Sequence, residues 1–164
     1  MPTLPQLIEE DVRELDASLR ELLMQGEAAA ALVIDKGGFV IAHSGRGESF
    51  DTVTLAALAA GSFAATETMA GLVGDTSFSS VYQQGHLHSL LVMNVDEFCL
   101  LTVIFPASVS VGAVKYFALD TIKRIAAQLQ RAQQRAPGGG FDLSMLNLAD
   151  ARPLFCKRTA GGVG

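Results

Sequence analysis

A long helical stretch rich in alanine and glycine, at residues 51–74, most constrains how this chain can fold. Asp51 opens it and is a preferred N-cap, because its carboxylate accepts backbone N–H bonds that the first turn of a helix leaves unpaired. Gly74 closes it, as glycine commonly does at a helix end. We therefore predict one helix from Asp51 to Gly74.

The side chains of this predicted helix fall into two neighbouring stripes at spacings of three and four. The bulky stripe contains Leu55, Leu58, Met69, Leu72 and Val73. The small stripe contains Ala57, Ala60, Gly61, Ala64, Thr68 and Gly71. Glycine costs about 1 kcal/mol of helix propensity relative to alanine, so Gly61 and Gly71 imply a packing reason. The small stripe lets a second backbone approach closely. The two stripes therefore indicate a helix that packs on two sides. This arrangement favours a partner surface rather than a catalytic pocket.

Composition limits the classes of function. A chain of 164 residues with 49% hydrophobic residues is one domain with a real core. A net charge of −5 argues against nucleic acid or an anionic membrane as the main partner. We find no signal peptide and no apolar run approaching the roughly 20 residues that span a bilayer. Cys99 and Cys156 have no metal-like or redox-like spacing, which favours a reducing cytoplasm.

The rest of the chain predicts two more helices and five strands. Leu4–Gln25 and Val109–Gln134 repeat apolar residues at helical spacing. The predicted strands are 28–34, 39–43, 80–84, 88–95 and 98–105. Asp35-Lys36-Gly37-Gly38 is a hairpin turn signal, and the run FCLLTVIF at 98–105 predicts a strand buried on both faces.

This order predicts an α+β domain, α-β-β-α-β-β-β-α, built on a five-stranded antiparallel sheet. We expect helices on both faces, because one sheet face cannot bury three apolar helices. The predicted domain is 1–136. Residues 137–164 form a glycine-rich linker and a C-terminal tail, which we predict to be partly disordered or docked elsewhere.

No catalytic, cofactor or metal site is predicted. His86 and His88 would share one face of a possible strand, but zinc needs about four ligands and no cysteine or carboxylate cluster joins these histidines or His43. Cys99 lies in an apolar run and is predicted to be buried and inert. The glycine-rich loop at 44–50 lacks the order of a phosphate-binding loop. The sequence therefore predicts a protein that is not an enzyme.

The chain resembles the roadblock / dynein-light-chain family, and within it the bacterial MglB-like proteins. The most specific part is the hairpin ALVIDKGGFVIAHSG at 31–45, followed by the helix at 51–74. The resemblance continues through 82–105 and 110–125 and covers about residues 5–133. It implies homodimers or heterodimers in which the sheets join edge to edge and the central helices lie side by side.

The resemblance also implies a partner. MglB-like dimers bind a small Ras-like GTPase of the MglA type and act as GTPase-activating proteins without supplying an arginine finger. Residues 51–74 contain no Arg or Lys, and we interpret the nearby Arg46 as a solvated loop residue. We predict a homodimeric regulator of such a GTPase, with a role in cell polarity. The alternative is a non-catalytic scaffold that docks a GTPase or another signalling or cytoskeletal partner.

Carried over position by position, the resemblance assigns partner binding to one set of residues. This set is Ala57, Ala60, Gly61, Ala64, Ala65 and Thr68. Glu67 departs from the small or apolar residue expected there and could favour a different partner. The same face could instead pack only against the twin helix of a dimer. A small-molecule sensor is a third option, opposed by strands that carry large aliphatic side chains and few polar anchors.

Overall fold

The computed structural model describes residues 4–46 and 49–135 of the chain. The helices are α1 (Glu9–Gly26), α2 (Thr52–Leu72) and α3 (Val111–Gln134). The strands are β1 (Ala30–Asp35), β2 (Val40–Gly45), β3 (Ser80–Gln83), β4 (His88–Asn94) and β5 (Cys99–Pro106). The strands form one antiparallel sheet in the order β2-β1-β5-β4-β3. The predicted fold class and element order are confirmed, whereas the predicted tail at 137–164 and Cys156 lie outside the described residues.

The start of α1 differs from the prediction. The helix begins at Glu9 rather than at Leu4, because Ile8 is the N-cap and has an extended backbone. The Ile8 backbone N–H donates to Asp11 Oδ2 at 2.8 Å, which fixes the first turn. At the other end, Gly26 is still helical, and the left-handed conformation falls on Glu27.

The sheet separates two hydrophobic layers, because neighbouring side chains of a strand point to opposite faces. Ala31 and Val33 of β1 join the layer that contains α1 and α3. Leu32 and Ile34 join the layer beneath α2. Strand β5 lies at the centre of the sheet and is buried along nearly its whole length. The predictions of helices on both faces and of a strand buried on both sides are therefore confirmed.

Cys99 begins this central strand and is fully buried. Burial raises the pKa of the Cys99 thiol to about 12, and the nearby carboxylates of Asp96 and Asp35 add to the shift. The thiol is therefore protonated at neutral pH. A buried, protonated thiol is a poor nucleophile, so Cys99 is a small core residue, as predicted.

Gly45 ends β2 where the chain leaves no room for a side chain. Its φ is +97°, and a Cβ there would lie 2.4 Å from the Ala29 carbonyl oxygen. We expect Gly45→Ala to lower the free energy of unfolding by about 2 kcal/mol or more, through backbone strain and this clash. Urea unfolding followed by circular dichroism measures the change.

The control for this change is Gly112→Ala, in the first turn of α3. A Cβ at Gly112 would make only an ordinary contact, 3.5 Å from Ser110 Oγ. We expect this variant to be as stable as the wild type or slightly more stable, because alanine is the better helix former. Equal unfolding midpoints for Gly45→Ala and the wild type would refute the tight packing at Gly45.

Candidate functional site: the exposed face of α2

Helix α2 contacts the sheet through one narrow stripe at helical spacing. The buried members of this stripe are Ala56, Ala59, Ala60 and Phe63. Three of them are alanines, so the helix axis can lie close to the sheet, and large sheet residues such as Leu32 and Leu100 fill the layer from below. The ring of Phe63 also packs against Phe78, with centroids 4.9 Å apart. Most of the surface of α2 is consequently left outside the core.

The exposed part of α2 carries an unusual number of large apolar side chains. They are Val53, Leu58, Met69 and Leu72, followed directly by Val73. Burying one such side chain contributes about 1.5–3 kcal/mol. Exposed large apolar side chains grouped on a surface are a common feature of sites that bind other proteins.

Five of the six residues predicted to bind the partner are exposed on this helix. They are Ala57, Gly61, Ala64, Ala65 and Thr68. Ala60 is only 5% exposed and belongs to the core under the helix, so the prediction is wrong for this residue. The error arises because alanine is small enough to be either buried or exposed. The residue type alone therefore does not show which way Ala60 points.

The bulky and small stripes lie next to each other on the outward side of the helix. Leu58 precedes Gly61 by three residues and Met69 follows Ala65 by four, so each pair shares one face. The two-sided arrangement predicted for these stripes is therefore corrected, because four of the five bulky residues are exposed and Leu55 is half-buried. We call this face the α2 surface. It comprises Ala57, Leu58, Gly61, Ala64, Ala65, Thr68, Met69 and Leu72.

Gly61, which belongs to the α2 surface, and Gly71 of the same helix have no packing reason within the described chain. A Cβ built on Gly61 or Gly71 meets no atom of the described residues within 4 Å. Their cost in helix propensity is therefore not offset by any contact inside this domain. The close approach that such glycines permit is therefore available to a partner that lies outside the described residues.

The hairpin between β1 and β2 borders the α2 surface and adds an aromatic residue that the sequence analysis missed. A Cβ on Gly38 would lie only 2.9 Å from the Ala57 Cα, so the turn fits closely against the start of α2. The next residue, Phe39, is 73% exposed, and its backbone N–H donates to Asp35 Oδ1 at 2.8 Å. The sequence did contain a signal for Phe39, because it is an aromatic residue directly after two turn glycines.

A groove of about 530 Å³ lies between the N-terminal half of α2 and the strands β3 and β4. Its walls include Leu55 and Leu58 from the helix and His88 and Leu90 from the sheet. The Phe50 ring meets the His88 imidazole edge-on, with centroids 5.8 Å apart. Leu58 belongs to both the groove and the α2 surface, so the two are continuous.

The polar residues that precede α2 form hydrogen bonds within the fold. The Asp51 carboxylate accepts hydrogen bonds from Thr54 Oγ1 at 2.6 Å and from the Thr54 backbone N–H at 3.0 Å, as predicted for an N-cap. These bonds hold the pKa of Asp51 below its ordinary value. Arg46 is exposed just after β2, where its backbone N–H donates to the Ala29 carbonyl oxygen at 2.9 Å.

His86 and His88 do not lie on one strand. His88 is the first residue of β4, whereas His86 lies in the bend before it. Within residues 4–46 and 49–135, no group of three or more His, Cys, Asp or Glu side chains is placed to hold a metal ion.

Helix α2 also bears on the prediction that the chain does not enter a membrane. Its 21 residues are long and apolar enough to cross a bilayer, by length and composition alone. However, the charged residue Glu67 is exposed in the second half of α2, and one side of the helix packs on the sheet. We therefore interpret α2 as a helix that packs on the sheet of this domain rather than as a membrane span.

Comparison with known proteins defines the class to which this architecture belongs. Residues 14–105 match the Roadblock/LC7 domain, and the chain is a member of that family. This confirms the resemblance drawn from the hairpin and the central helix. No curated protein is significantly similar to the chain in sequence.

Solved structures of MglB proteins share the fold over most of the chain. Myxococcus xanthus MglB is 26% identical with a TM-score of 0.73, covering 80% of this chain and 98% of its own. The gliding protein MglB of Thermus thermophilus is 29% identical with a TM-score of 0.72, covering 80% and 99%. An MglB with a tetrameric arrangement is 29% identical with a TM-score of 0.73, covering 80% and 99%.

Proposed function

We propose that this protein is a homodimeric regulator of a small Ras-like GTPase of the MglA type, and that it accelerates GTP hydrolysis by that GTPase. The observation that carries the proposal is the α2 surface, with its exposed apolar side chains and with Gly61, where an added Cβ would meet no other described part of the chain. The similarity to MglB proteins in fold and sequence supports the choice of partner.

The chemistry of the α2 surface limits how activation could work. A Ras-like GTPase hydrolyses GTP slowly until its transition-state charge is stabilised and its attacking water is positioned. Residues 51–74 contain no Arg or Lys that could enter the nucleotide site of a partner docked on this surface. The regulator would therefore act by rearranging the switch segments of the GTPase, so that the catalytic groups of the GTPase itself are aligned.

A second copy of the chain is the other expected partner. Strand β3 forms one edge of the sheet, and among the described residues no further strand pairs with its outer side. The short segment 73–79 joins α2 to β3, so a copy that extends the sheet at β3 would also bring its own α2 alongside. Both contacts would bury part of the α2 surface, leaving the remainder, with Phe39, for the GTPase.

Single-turnover GTP hydrolysis by an MglA-type GTPase, with and without this protein, tests the proposal. We expect the rate constant to rise at least about tenfold at saturating regulator, by analogy with the larger effects of activators that add an arginine. A matched reaction with Arg46→Ala should be accelerated equally, because this exposed arginine is assigned no catalytic role. A loss of acceleration in Arg46→Ala would contradict activation without an arginine finger.

The alternative function is a scaffold that docks the same GTPase without changing its turnover. The absence of charged groups from the predicted partner-binding residues is equally suited to simple docking. Binding to the GTP-loaded form, measured by calorimetry, combined with an unchanged hydrolysis rate would establish the scaffold and exclude the activator. In either case we propose a cytoplasmic protein with a role in cell polarity or motility.

A further inference from the structure

The sheet has two edge strands, and they differ in how well each is protected against further pairing. Within the described residues, β2 and β3 each pair with one neighbouring strand. The register of β2 against β1 shifts between Val33 and Ile34, which leaves Ile41 as an extra residue that bends and blunts this edge. Strand β3 pairs with β4 in regular register and contains neither proline nor lysine. Of the two edges, β3 is therefore the one suited to adding a strand.

The hydrogen bonds of the sheet show which backbone groups of β3 point outward. The Asn94 backbone N–H donates to the Ser79 carbonyl oxygen at 2.9 Å, so these residues form a hydrogen-bonded pair. Such pairs alternate along an antiparallel ladder, which directs the backbone groups of Val81 toward β4. The N–H and C=O of Ser80 and Tyr82 consequently point away from the sheet. Each of these two residues offers one donor and one acceptor at the outer edge.

The side chains of β3 point to two different environments. The Tyr82 ring is 43% exposed and stacks on Phe105, which belongs to the layer that contains α1 and α3. On the same face, Lys115 Nζ of α3 donates to Ser80 Oγ at 3.3 Å. Val81 points to the other face, into the layer beneath α2. A strand added at this edge would therefore contact Ser80 and Tyr82 on the α3 side and Val81 on the α2 side.

We propose that the strand added to β3 is β3 of a second copy, with the two-fold axis passing beside Val81. This inference rests on the homodimer of the proposed function. A two-fold axis perpendicular to the sheet keeps both α2 helices on one side and makes the two edge strands antiparallel. Ser80 then pairs with the partner's Tyr82, and Val81 lies opposite the partner's Val81. This register uses every outward N–H and C=O of Ser80 and Tyr82.

The neighbouring registers satisfy fewer of these groups within the strand. Side chains that lie opposite each other share one face of a sheet, so the axis can move only by whole residues. An axis beside Tyr82 would pair Ser80 with the partner's Gln84, which lies beyond the end of β3. An axis beside Ser80 would pair Tyr82 with the partner's Phe78, which precedes the strand. The axis beside Val81 is therefore the one that the observed length of β3 supports.

This register brings a cation of one copy to an aromatic ring of the other. Ser80 and the partner's Tyr82 would form a hydrogen-bonded pair, in which the Cα atoms are about 5.5 Å apart. Lys115 Nζ already lies beside Ser80 Oγ, so its ammonium can reach the ring of the partner's Tyr82. The two-fold axis repeats this contact, and each dimer has it twice. Lys115 thus stabilises the association as well as its own strand.

Cysteine cross-linking of the full-length chain tests the register. Val81→Cys would place two thiols across a non-hydrogen-bonded pair with Cα atoms about 4.5 Å apart, and oxidation with diamide should give a disulfide-linked dimer. Ser80→Cys and Tyr82→Cys would each leave the two Cα atoms about 9 Å apart, which is too far for a disulfide. Each variant also carries Cys156→Ser, so that the one native thiol left is the buried Cys99.

Sedimentation equilibrium of the wild type separates this inference from the proposed function. A monomer at every concentration would overturn both the homodimer and its register. A dimer that cross-links through Tyr82→Cys or Ser80→Cys, or one in which a folded Val81→Cys variant does not cross-link, would overturn the register alone. Cross-linking through Val81→Cys in a dimer that leaves GTP hydrolysis unchanged would support the register and contradict the activator.

A charge variant tests the contact between Lys115 and the partner's Tyr82. Lys115 is exposed, so Lys115→Met should fold normally, and we expect it to weaken dimerisation about tenfold. The matched control is Lys123→Met, which removes the same charge from the side of α3 that faces α1. Dimerisation of Lys123→Met, measured by sedimentation equilibrium, should equal that of the wild type. Equal weakening in both variants would reduce the effect to net charge and overturn the Lys115 contact.

Discussion

Replacing Ala64 with arginine is expected to abolish association at the α2 surface while the domain stays folded. Ala64 is exposed on α2, so the longer side chain meets no neighbour in the described chain, and stability should change by no more than about 0.5 kcal/mol. In a close helix contact, the guanidinium would be desolvated without a partner, which costs about 3–5 kcal/mol. That cost corresponds to a loss of affinity of more than about a hundredfold.

Two measurements show which association Ala64 serves. Sedimentation equilibrium reports on self-association, and calorimetry with the GTP-loaded GTPase reports on partner binding. The matched control is Ala113→Arg, the same change at an exposed position of α3, where both associations should be unaffected. Survival of both associations in Ala64→Arg would refute the role of the α2 surface. Loss of self-association alone would assign Ala64 to the twin-helix contact and refute its assignment to the GTPase site.

The second large effect is expected at Phe63, which anchors α2 to the sheet. Phe63 is 2% exposed and is the only large side chain in the buried stripe, whose other members are alanines. We expect Phe63→Ala to lower the free energy of unfolding by about 3–5 kcal/mol, because truncation leaves a cavity beside Phe78 and the sheet. Urea unfolding at one fixed protein concentration is the measurement, since self-association adds to apparent stability.

Leu58→Ala is the matched control for Phe63→Ala, because both changes remove a large apolar side chain from the same helix. Leu58 is 66% exposed, so its removal should change the unfolding free energy of the unassociated chain by no more than about 0.5 kcal/mol. It should instead weaken association at the α2 surface. A large loss of stability in Leu58→Ala, with none in Phe63→Ala, would mean that α2 is seated on the sheet by its other side.

The α2 surface was only partly predictable from the sequence. Asp51 as the N-cap and the small residues at Gly61 and Ala64 follow from local signals, because capping and helical spacing operate within a few residues. The direction in which each side chain of α2 points does not follow from these local signals. Apolar residues surround the whole helix, so its periodicity cannot distinguish the core side from the outer side. Ala60 was therefore placed outside and Phe63 was overlooked.

The exposure of Phe39 and the contact between α1 and α3 depended on longer-range contacts. The exposure of Phe39 at the edge of the α2 surface follows from the fit of Gly38 against Ala57, residues that belong to different elements. The buried hydrogen bond between Gln128 of α3 and Asp11 of α1 joins residues that are 117 positions apart. Neither partner of that bond has a signal in its own neighbourhood that identifies the other.

The sequence by itself determined the types and order of the elements, the hairpin at residues 35–38, the burial of β5 and the family. Each of these depends on turn chemistry or on hydrophobic periodicity over a short window. Only the tertiary structure decided the strand order β2-β1-β5-β4-β3 and the side of α2 that faces the sheet. The physical reason is that the strands contribute most of the large side chains in the hydrophobic layer between α2 and the sheet. Close packing against those strands selects the alanine stripe for the core and leaves the leucines and glycines of the helix outside.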